Sequence, residues 1–435
     1  MNTVRSAAQR IRESLFFVPL LIMGICGALA WLVLYIDTVL AEEIRESTVL
    51  LAATVEGGRS IVTTVAGATI TVAAIVFSIT ALSSQIAANQ YSPRAVSGFF
   101  EDTFQQMIIG LIVGTFTYCL LILGGLSSSL VGVSEPRPTL AITVAVVLGV
   151  GSAIGIVAYI DHSLRRFQVD SVVRRISNAT LEAIKRNGQE RKPDSLTETP
   201  PPSGESHNVS SKRSGWVQAI DAPRLAESLP EGSTARVAVR LGEPLSSGDK
   251  LLTIWPPPDD EDRVQRAANR HIRAGRDRSL DNDPSFGIRQ LVDIALKALS
   301  PGINDPTTAV DVIHHLKVPI REILQRDPPQ RVFNGSQGQR VFLAESLSRS
   351  GYVHSAFSEI RLAAGSQPTV LHALLEVLTD LRNELESEEL PGRASAVEEE
   401  IRLTIDASNR ASLPEEDRAR AIGGFVREDR EQGDG

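Results

Sequence analysis

Apolar residues crowd into four long runs in the first third of this chain and then return only as short stripes. A helix needs about 20 mostly apolar residues to cross a bilayer. Four windows meet that length: 14–36 (SLFFVPLLIMGICGALAWLVLYI), 61–88 (IVTTVAGATITVAAIVFSITALSSQIAA), 107–126 (MIIGLIVGTFTYCLLILGGL) and 140–160 (LAITVAVVLGVGSAIGIVAYI). None holds a charged side chain, as the cost of an ion in hydrocarbon requires. The predicted class is an α-helical integral membrane protein with four transmembrane helices, followed by a cytoplasmic α+β region. The first window follows Arg5, Arg10 and Arg12, as a signal peptide would. It is too long for an ordinary signal core and has no nearby A-x-A site, so it reads as a retained span. Trp31 and Tyr35 near its end suit the membrane interface.

The second window carries a pattern of its own. Thr64, Thr71, Ser78 and Gln85 recur every seven residues, and Gly67, Ala74, Ala81 and Ala88 each follow three later. Helical geometry puts all of them on one face. The other faces carry Ile75, Val76, Phe77, Ile79 and Leu82. Two readings are open. Small residues let helix backbones approach and hydroxyls bond across them, so the stripe is a packing surface. Alternatively it lines a water-filled path in an oligomer, where hydroxyls and amides replace part of a solute's hydration shell. Gly110-x-x-x-Gly114 and Gly151-x-x-x-Gly155 in the third and fourth windows predict tight helix packing. After the second window, Pro93 of Tyr91-Ser92-Pro93-Arg94 stops the helix. Phe99, Phe100 and Phe104 then read as an elbow anchored in the headgroups.

Beyond the spans the pattern changes. Leu164, Phe167, Val172 or Val173, and Ile176 give residues 161–186 a helical stripe, flanked by Arg165, Arg166, Arg174 and Arg175. This predicts a juxtamembrane helix near anionic lipid. Residues 187–214 have almost no large apolar side chains and read as a disordered linker, with His207 solvated. GWVQAI, TARVAVRLG and DKLLTIW make 215–256 a small β module, and VAVRLGEPLSSGDKLLTI is similar to the barrel-sandwich pattern of lipoyl-type modules. Gly242 and Gly248 serve its turns, and Lys250 enters a strand rather than sitting at a hairpin tip, which gives no reason to propose lipoylation. Residues 259–405 read as a helical domain, with helices over 286–300, 341–364, 367–385 and 394–405, and 406–435 as an acidic disordered tail. Arg289, Asp293 and Lys297 form a solvated i, i+4 ladder. Between two of these helices lies Ser300-Pro301-Gly302-Ile303-Asn304-Asp305-Pro306. Gly302 ends one helix, Asp305 caps the next, and Pro306 takes its first position. A helix N-terminus also attracts anions, but Asp305 already occupies that end.

Charge then fixes orientation. Residues 1–160 hold seven Arg and no Lys. Arg5, Arg10, Arg12, Arg94 and the four arginines after span four fall on one side, against Arg45, Arg59 and Arg137 on the other. The positive-inside rule therefore predicts cytoplasmic N- and C-termini. The outer loop 37–60 is acidic, and forms either a surface helix or an extension of span two. The net charge of −8 and the lack of a basic stripe argue against nucleic-acid binding. Cys26 and Cys119 lie in apolar runs and predict no disulfide framework. His314 and His315 are adjacent and point about 100° apart on a helix, so they do not chelate one metal. No P-loop, nucleophile elbow or zinc spacing occurs.

Phe77-Ser78-Ile79-Thr80, Ser84-Gln85 through Tyr91-Ser92-Pro93-Arg94, Gly114-Thr115-Phe116-Thr117-Tyr118-Cys119, Phe286-Gly287-Ile288-Arg289-Gln290-Leu291-Val292 and the Ser300–Pro306 corner occur in this order. Together they resemble the DUF2254 family of predicted bacterial inner-membrane proteins. Before the FGIRQ helix that family has Arg-Thr and Gln-Asp where this chain has Arg278-Ser279 and Asn282-Asp283. The linker also looks longer than the family's. The resemblance implies four spans and a cytoplasmic domain, and no activity, catalytic residue or cofactor.

Three functions follow as expectations. The first is a homo-oligomeric pore or conduit lined by Thr64, Thr71, Ser78 and Gln85 and gated or assembled by the cytoplasmic domain. The second is a non-transporting scaffold or sensor whose cytoplasmic helices bind a protein partner. The third is an enzyme using Mg²⁺ held by Asp281, Asp283, Asp305 and Asp311. The first leads, and with it neither catalytic residues nor a cofactor are expected. Lipid, further copies of the chain and a cytoplasmic protein are the expected partners.

Overall fold

The computed structural model describes residues 17–39, 55–90, 103–127, 139–166, 169–187, 204–365, 367–388, 390–411 and 414–422. The chain forms two compact units, Met1–Gln168 and Val169–Gly435. The outer-loop helix expected before residue 55, the elbow at Tyr91–Arg94 with Phe99 and Phe100, the first part of the expected linker and the end of the expected tail lie outside the described residues.

The first unit is four helices: α1 (Phe17–Val39), α2 (Val55–Gln90), α3 (Thr103–Ser127) and α4 (Thr139–Arg166). All four are long and apolar enough to cross a membrane. Helix α2 starts six residues before the apolar window, so it extends into the segment that precedes the span. Helix α3 packs against each of the other three and is the most enclosed. Its glycines explain the closeness. A Cβ on Gly110 would lie 2.7 Å from Ile22 and 3.1 Å from the Pro19 backbone, and one on Gly114 would lie 2.7 Å from Cys26 Sγ. On α4 the expected pair is only half used. Gly155 faces Ile108 at 3.3 Å, but Gly151 meets open space, and Gly149 instead approaches Val65 at 3.0 Å. Hydroxyls tie the helices: Thr115 Oγ1 meets Ser152 Oγ at 3.0 Å, and the Tyr118 hydroxyl donates to the Ala141 carbonyl at 3.1 Å.

Asp37, at the end of the first apolar span, caps another helix. Its carboxylate accepts from the backbone N–H of Leu140 (3.2 Å) and Ala141 (2.9 Å), at the start of α4, and is buried. The first N–H groups of a helix have no partner within it, and a carboxylate there also meets the positive end of the dipole. Asp37→Ala is expected to cost about 1–2 kcal/mol, read as a lower apparent melting temperature of the purified protein. Asp37→Asn should retain part of it, and an unshifted Asp37→Ala would show that the cap does no stabilising work.

The second unit opens with α5 (Val169–Asn187), followed by two sheets and a helical layer. The strands are β1 (His207–Ser210), β2 (Gly215–Ile220), β3 (Thr234–Val237), β4 (Pro244–Leu245), β5 (Lys250–Trp255), β6 (Ile272–Gly275), β7 (Val332–Asn334) and β8 (Arg340–Phe342). One sheet runs β1-β5-β3-β8-β7 and the other β4-β2-β6. All pairings are antiparallel except β3 with β8, where Ala235 sits opposite Val341. Val209, Val237, Leu252, Ile254 and Val341 from the first sheet, and Val217, Leu245 and Ile272 from the second, share one core. Leu225 of α6 (Ala222–Ser228) and Val264 of α7 (Glu261–His271) complete it. Gly242 and Gly248 take φ of +75° and +98°, as the turns require.

This corrects the sequence reading in three places. The expected linker ends earlier, because His207–Ser210 is a strand with Val209 fully buried, and His207 Nδ1 lies 3.2 Å from Glu261. The β module is not confined to 215–256, because β6 and the β7–β8 hairpin join it from the stretch read as helical. The helix expected from residue 341 begins at Arg349, where the Ser348 hydroxyl caps it through the Gly351 N–H.

The helical layer is α5 with α8 (Pro284–Ala298), α9 (Pro306–Gln325), α10 (Arg349–Ala364), α11 (Pro368–Ser387), α12 (Ser395–Arg410) and α13 (Glu415–Ile422). The last two overrun the expected helix end and the expected disordered tail. The apolar stripe of α5 packs on α8 and α9, with Val172, Val173, Ile176, Ala183 and Ile184 buried. In the charge ladder of α8, Arg289 bonds Asp293 at 2.7 Å and also reaches Glu359 of α10.

Candidate functional site

The sequence marks one face of α2, and the first unit shows where that face lies. The side of α2 turned to its own bundle is Val62, Ala66, Thr69, Ala73 and Val76, all buried. Thr64, Gly67, Thr71, Ala74, Ser78, Ala81 and Gln85 are all exposed. At 100° per residue the two faces are roughly opposite. The chain's own described helices therefore leave the stripe uncovered. From Thr64 to Gln85 it runs about 30 Å, the thickness of a bilayer's hydrocarbon core. Exposed Ile70, Ile75, Phe77 and Leu82 flank it.

The hydroxyls are satisfied locally. Thr64 Oγ1 donates to the Ser60 carbonyl at 2.8 Å, Thr71 to Gly67 at 2.8 Å and Ser78 to Ala74 at 2.9 Å. Back-bonding of this kind occupies the proton and leaves the oxygen lone pairs outward. The stripe presents hydroxyl acceptors, the Gln85 amide and small side chains, without charge.

One hydroxyl in this helix does different work. Thr80 Oγ1 lies 2.7 Å from the Tyr159 hydroxyl of α4 and accepts from Gln105 Nε2 of α3 at 3.3 Å. This node joins three helices, and the seven-residue pattern passes over it. Beside it the Phe104 ring packs on His162, with centroids 4.7 Å apart. Phe104 therefore packs against its own bundle, although the sequence reads it as a headgroup anchor.

The corner before α9 is built as expected at its second half. Asp305 accepts from the Thr308 N–H (3.1 Å) and hydroxyl (2.6 Å). These bonds, the hydroxyl's first, hold its carboxyl below the ordinary aspartate range. Pro306 opens the helix. The left-handed residue is Asn304, with φ of +49°, rather than Gly302, and its side chain accepts from Gln367 Nε2 at 3.0 Å. Ser300 Oγ donates to the Lys297 carbonyl at 2.6 Å, and Pro301 and Gly302 are exposed. The corner's polar groups are used in turn and cap bonds.

The four acidic residues considered for Mg²⁺ are not gathered. Asp283 caps α8 and pairs with Arg278 at 2.7 Å, Asp305 caps α9, and Asp281 bonds Ser279 at 3.1 Å. Among the described residues no three His, Cys, Asp or Glu side chains form a group able to hold a metal ion. His315 Nδ1 lies 2.9 Å from its own helix's Asp311 carbonyl.

Known proteins place the chain without naming an activity. An uncharacterized protein of Mycobacterium bovis is 32% identical over 383 residues, which is 85% of this chain and 71% of that protein. Two uncharacterized proteins from Mycobacterium tuberculosis strains show the same identity and coverage. No solved structure matches. The family described as predicted membrane protein (DUF2254) matches residues 12–380. With four helices able to span a membrane and that match over most of its length, this chain belongs to the DUF2254 family.

Proposed function

We propose that this protein is a homo-oligomeric conduit of the bacterial inner membrane, with α2 of each copy turned toward a shared path. The reading rests on one observation: the small, hydroxyl-bearing stripe faces away from the chain's own bundle along about 30 Å of α2. Outward lone pairs suit water and cations, whose hydration shells they replace. The second unit, on the cytoplasmic side with both termini, assembles or gates the ring. The reading assigns no catalytic residue and no nucleic-acid partner.

Native mass spectrometry in lipid nanodiscs, with thiol labelling of Thr71→Cys and Ser78→Cys, tests it. Cys26 and Cys119 are buried and give little background. A closed ring with both positions labelled from water is the expected result, and Thr71→Val with Ser78→Val should then reduce solute flux. A monomer would end the conduit reading. A ring whose stripe resists labelling would make α2 a dry interface in a scaffold.

A further inference from the structure

The second unit encloses a pocket of about 360 Å³ where the sheets meet the helical layer. Its walls are the turn at Val239–Leu241, the start of α8 at Asn282–Ser285, and chain on both sides of the β7–β8 hairpin. Arg186 of α5 and Tyr352 of α10 also line it. The volume lies within the usual range for small-ligand sites.

The lining is unbalanced in charge. It holds three arginines, Arg186, Arg240 and Arg331, and a single carboxylate, Asp283. That carboxylate is neutralised from outside the lining, by Arg278 Nε at 2.7 Å, and its other oxygen accepts from Ser285 Oγ at 2.5 Å. The ion-pair partner of Arg240 is loose and lies outside the lining, Glu243 at 3.7 Å with a side chain 41% exposed, and Arg331 reaches Glu345, also outside the lining, at 3.4 Å. A cleft lined by one sign of charge concentrates the opposite ion. Guanidinium groups match phosphate oxygens in geometry as well as charge.

The rest of the wall mixes polar side chains, Asn282, Gln330 and Ser346, with Leu241, Leu347 and the rings of Phe333 and Tyr352. Burial, with the Asp283 charge adding to it, pushes the Tyr352 phenol up to about 12. The hydroxyl therefore stays protonated at neutral pH and available as a donor. Among the described residues it has no hydrogen-bond partner.

We propose that this pocket binds a small organic phosphate with an aromatic body, the arginines holding the phosphate and Phe333 and Tyr352 meeting the ring. The site is independent of the α2 stripe and stands whether or not the chain forms a conduit.

Calorimetric titration of the full-length protein in phosphatidylcholine nanodiscs tests this, with AMP and phenyl phosphate as probes and adenosine and inorganic phosphate as controls. Saturable binding of a probe with Kd below about 1 mM is expected, and each control should bind at least about tenfold more weakly. Arg240, half-exposed, and Tyr352 allow variants that keep the fold: Arg240→Ala should weaken probe binding about tenfold, and Tyr352→Phe several-fold. The proposal is overturned if neither probe saturates below about 10 mM, or if adenosine binds as well as AMP. It is equally overturned if both variants bind the probes as the unaltered protein does.

Discussion

Arg361→Ala is expected to cost about 3–5 kcal/mol of folding stability in the second unit. Arg361 Nε on α10 lies 2.7 Å from Glu400 Oε1 on α12, and the side chains are only 9% and 4% exposed. Removing the guanidinium leaves a carboxylate in the core without its counter-charge, and that desolvation cost is not recovered elsewhere. Exposed pairs behave differently. Arg174 and Asp170 are nearly as close, at 2.9 Å, yet 64% and 55% exposed, and such pairs contribute about 0–1 kcal/mol. Breaking that pair should therefore be nearly silent. Unfolding followed by the fluorescence of Trp216 and Trp255, on β2 and β5, reads the difference. The double variant Arg361→Met with Glu400→Leu should recover most of the loss, because apolar residues of similar volume often replace a buried pair at little cost. If Arg361→Ala shifts stability by less than about 1 kcal/mol, water reaches the pair and the burial argument fails.

The sequence shows neither this pair nor most of the sheet, and the reasons are physical. Arg361 and Glu400 meet because α10 and α12 pack together, which no local pattern encodes. Strands β1, β6, β7 and β8 have three or four residues each, too few for alternation to stand out. The β7–β8 hairpin lies in a stretch rich in Gly, Ser and Gln, and β8 finds its parallel partner β3 about a hundred residues upstream. The spans are the opposite case. Charge-free runs of membrane length have one common outcome, and all four are present as helices. The α2 stripe lies between these extremes. Period and composition identify the face, whereas its direction depends on α3 and α4 packing against Val62, Ala66, Ala73 and Val76. The small residues of the bundle thus divide by position: those of α3, part of α4 and one face of α2 bring the chain's own helices together, and those of the α2 stripe remain open to what lies outside.

Gly287→Val should be the most damaging single change in the FGIRQ helix, and Gly287→Ala the more informative. In an ordinary helix interior, Gly→Ala stabilises by about 0.5–1 kcal/mol, since glycine loses more backbone freedom on folding. Gly287 sits where α8 crosses α5, and an added Cβ would fall 1.9 Å from Thr180 Oγ1 and 2.6 Å from Leu280 Cδ1. Thr180 is fully buried, and its hydroxyl is held by the Ile176 carbonyl at 2.7 Å. It can move aside only by giving up that bond or driving the helices apart. Overpacking of this kind costs about 1–3 kcal/mol or more, which exceeds the propensity gain and fixes the sign as destabilising. Thr180→Ala removes the nearest atom, although its Cβ remains 3.0 Å from the new methyl position. The double variant Gly287→Ala with Thr180→Ala should therefore recover part of the loss and no more. A stabilised Gly287→Ala protein would mean that α5 and α8 sit further apart in solution, and that the glycine is not what seats α5 in the helical layer.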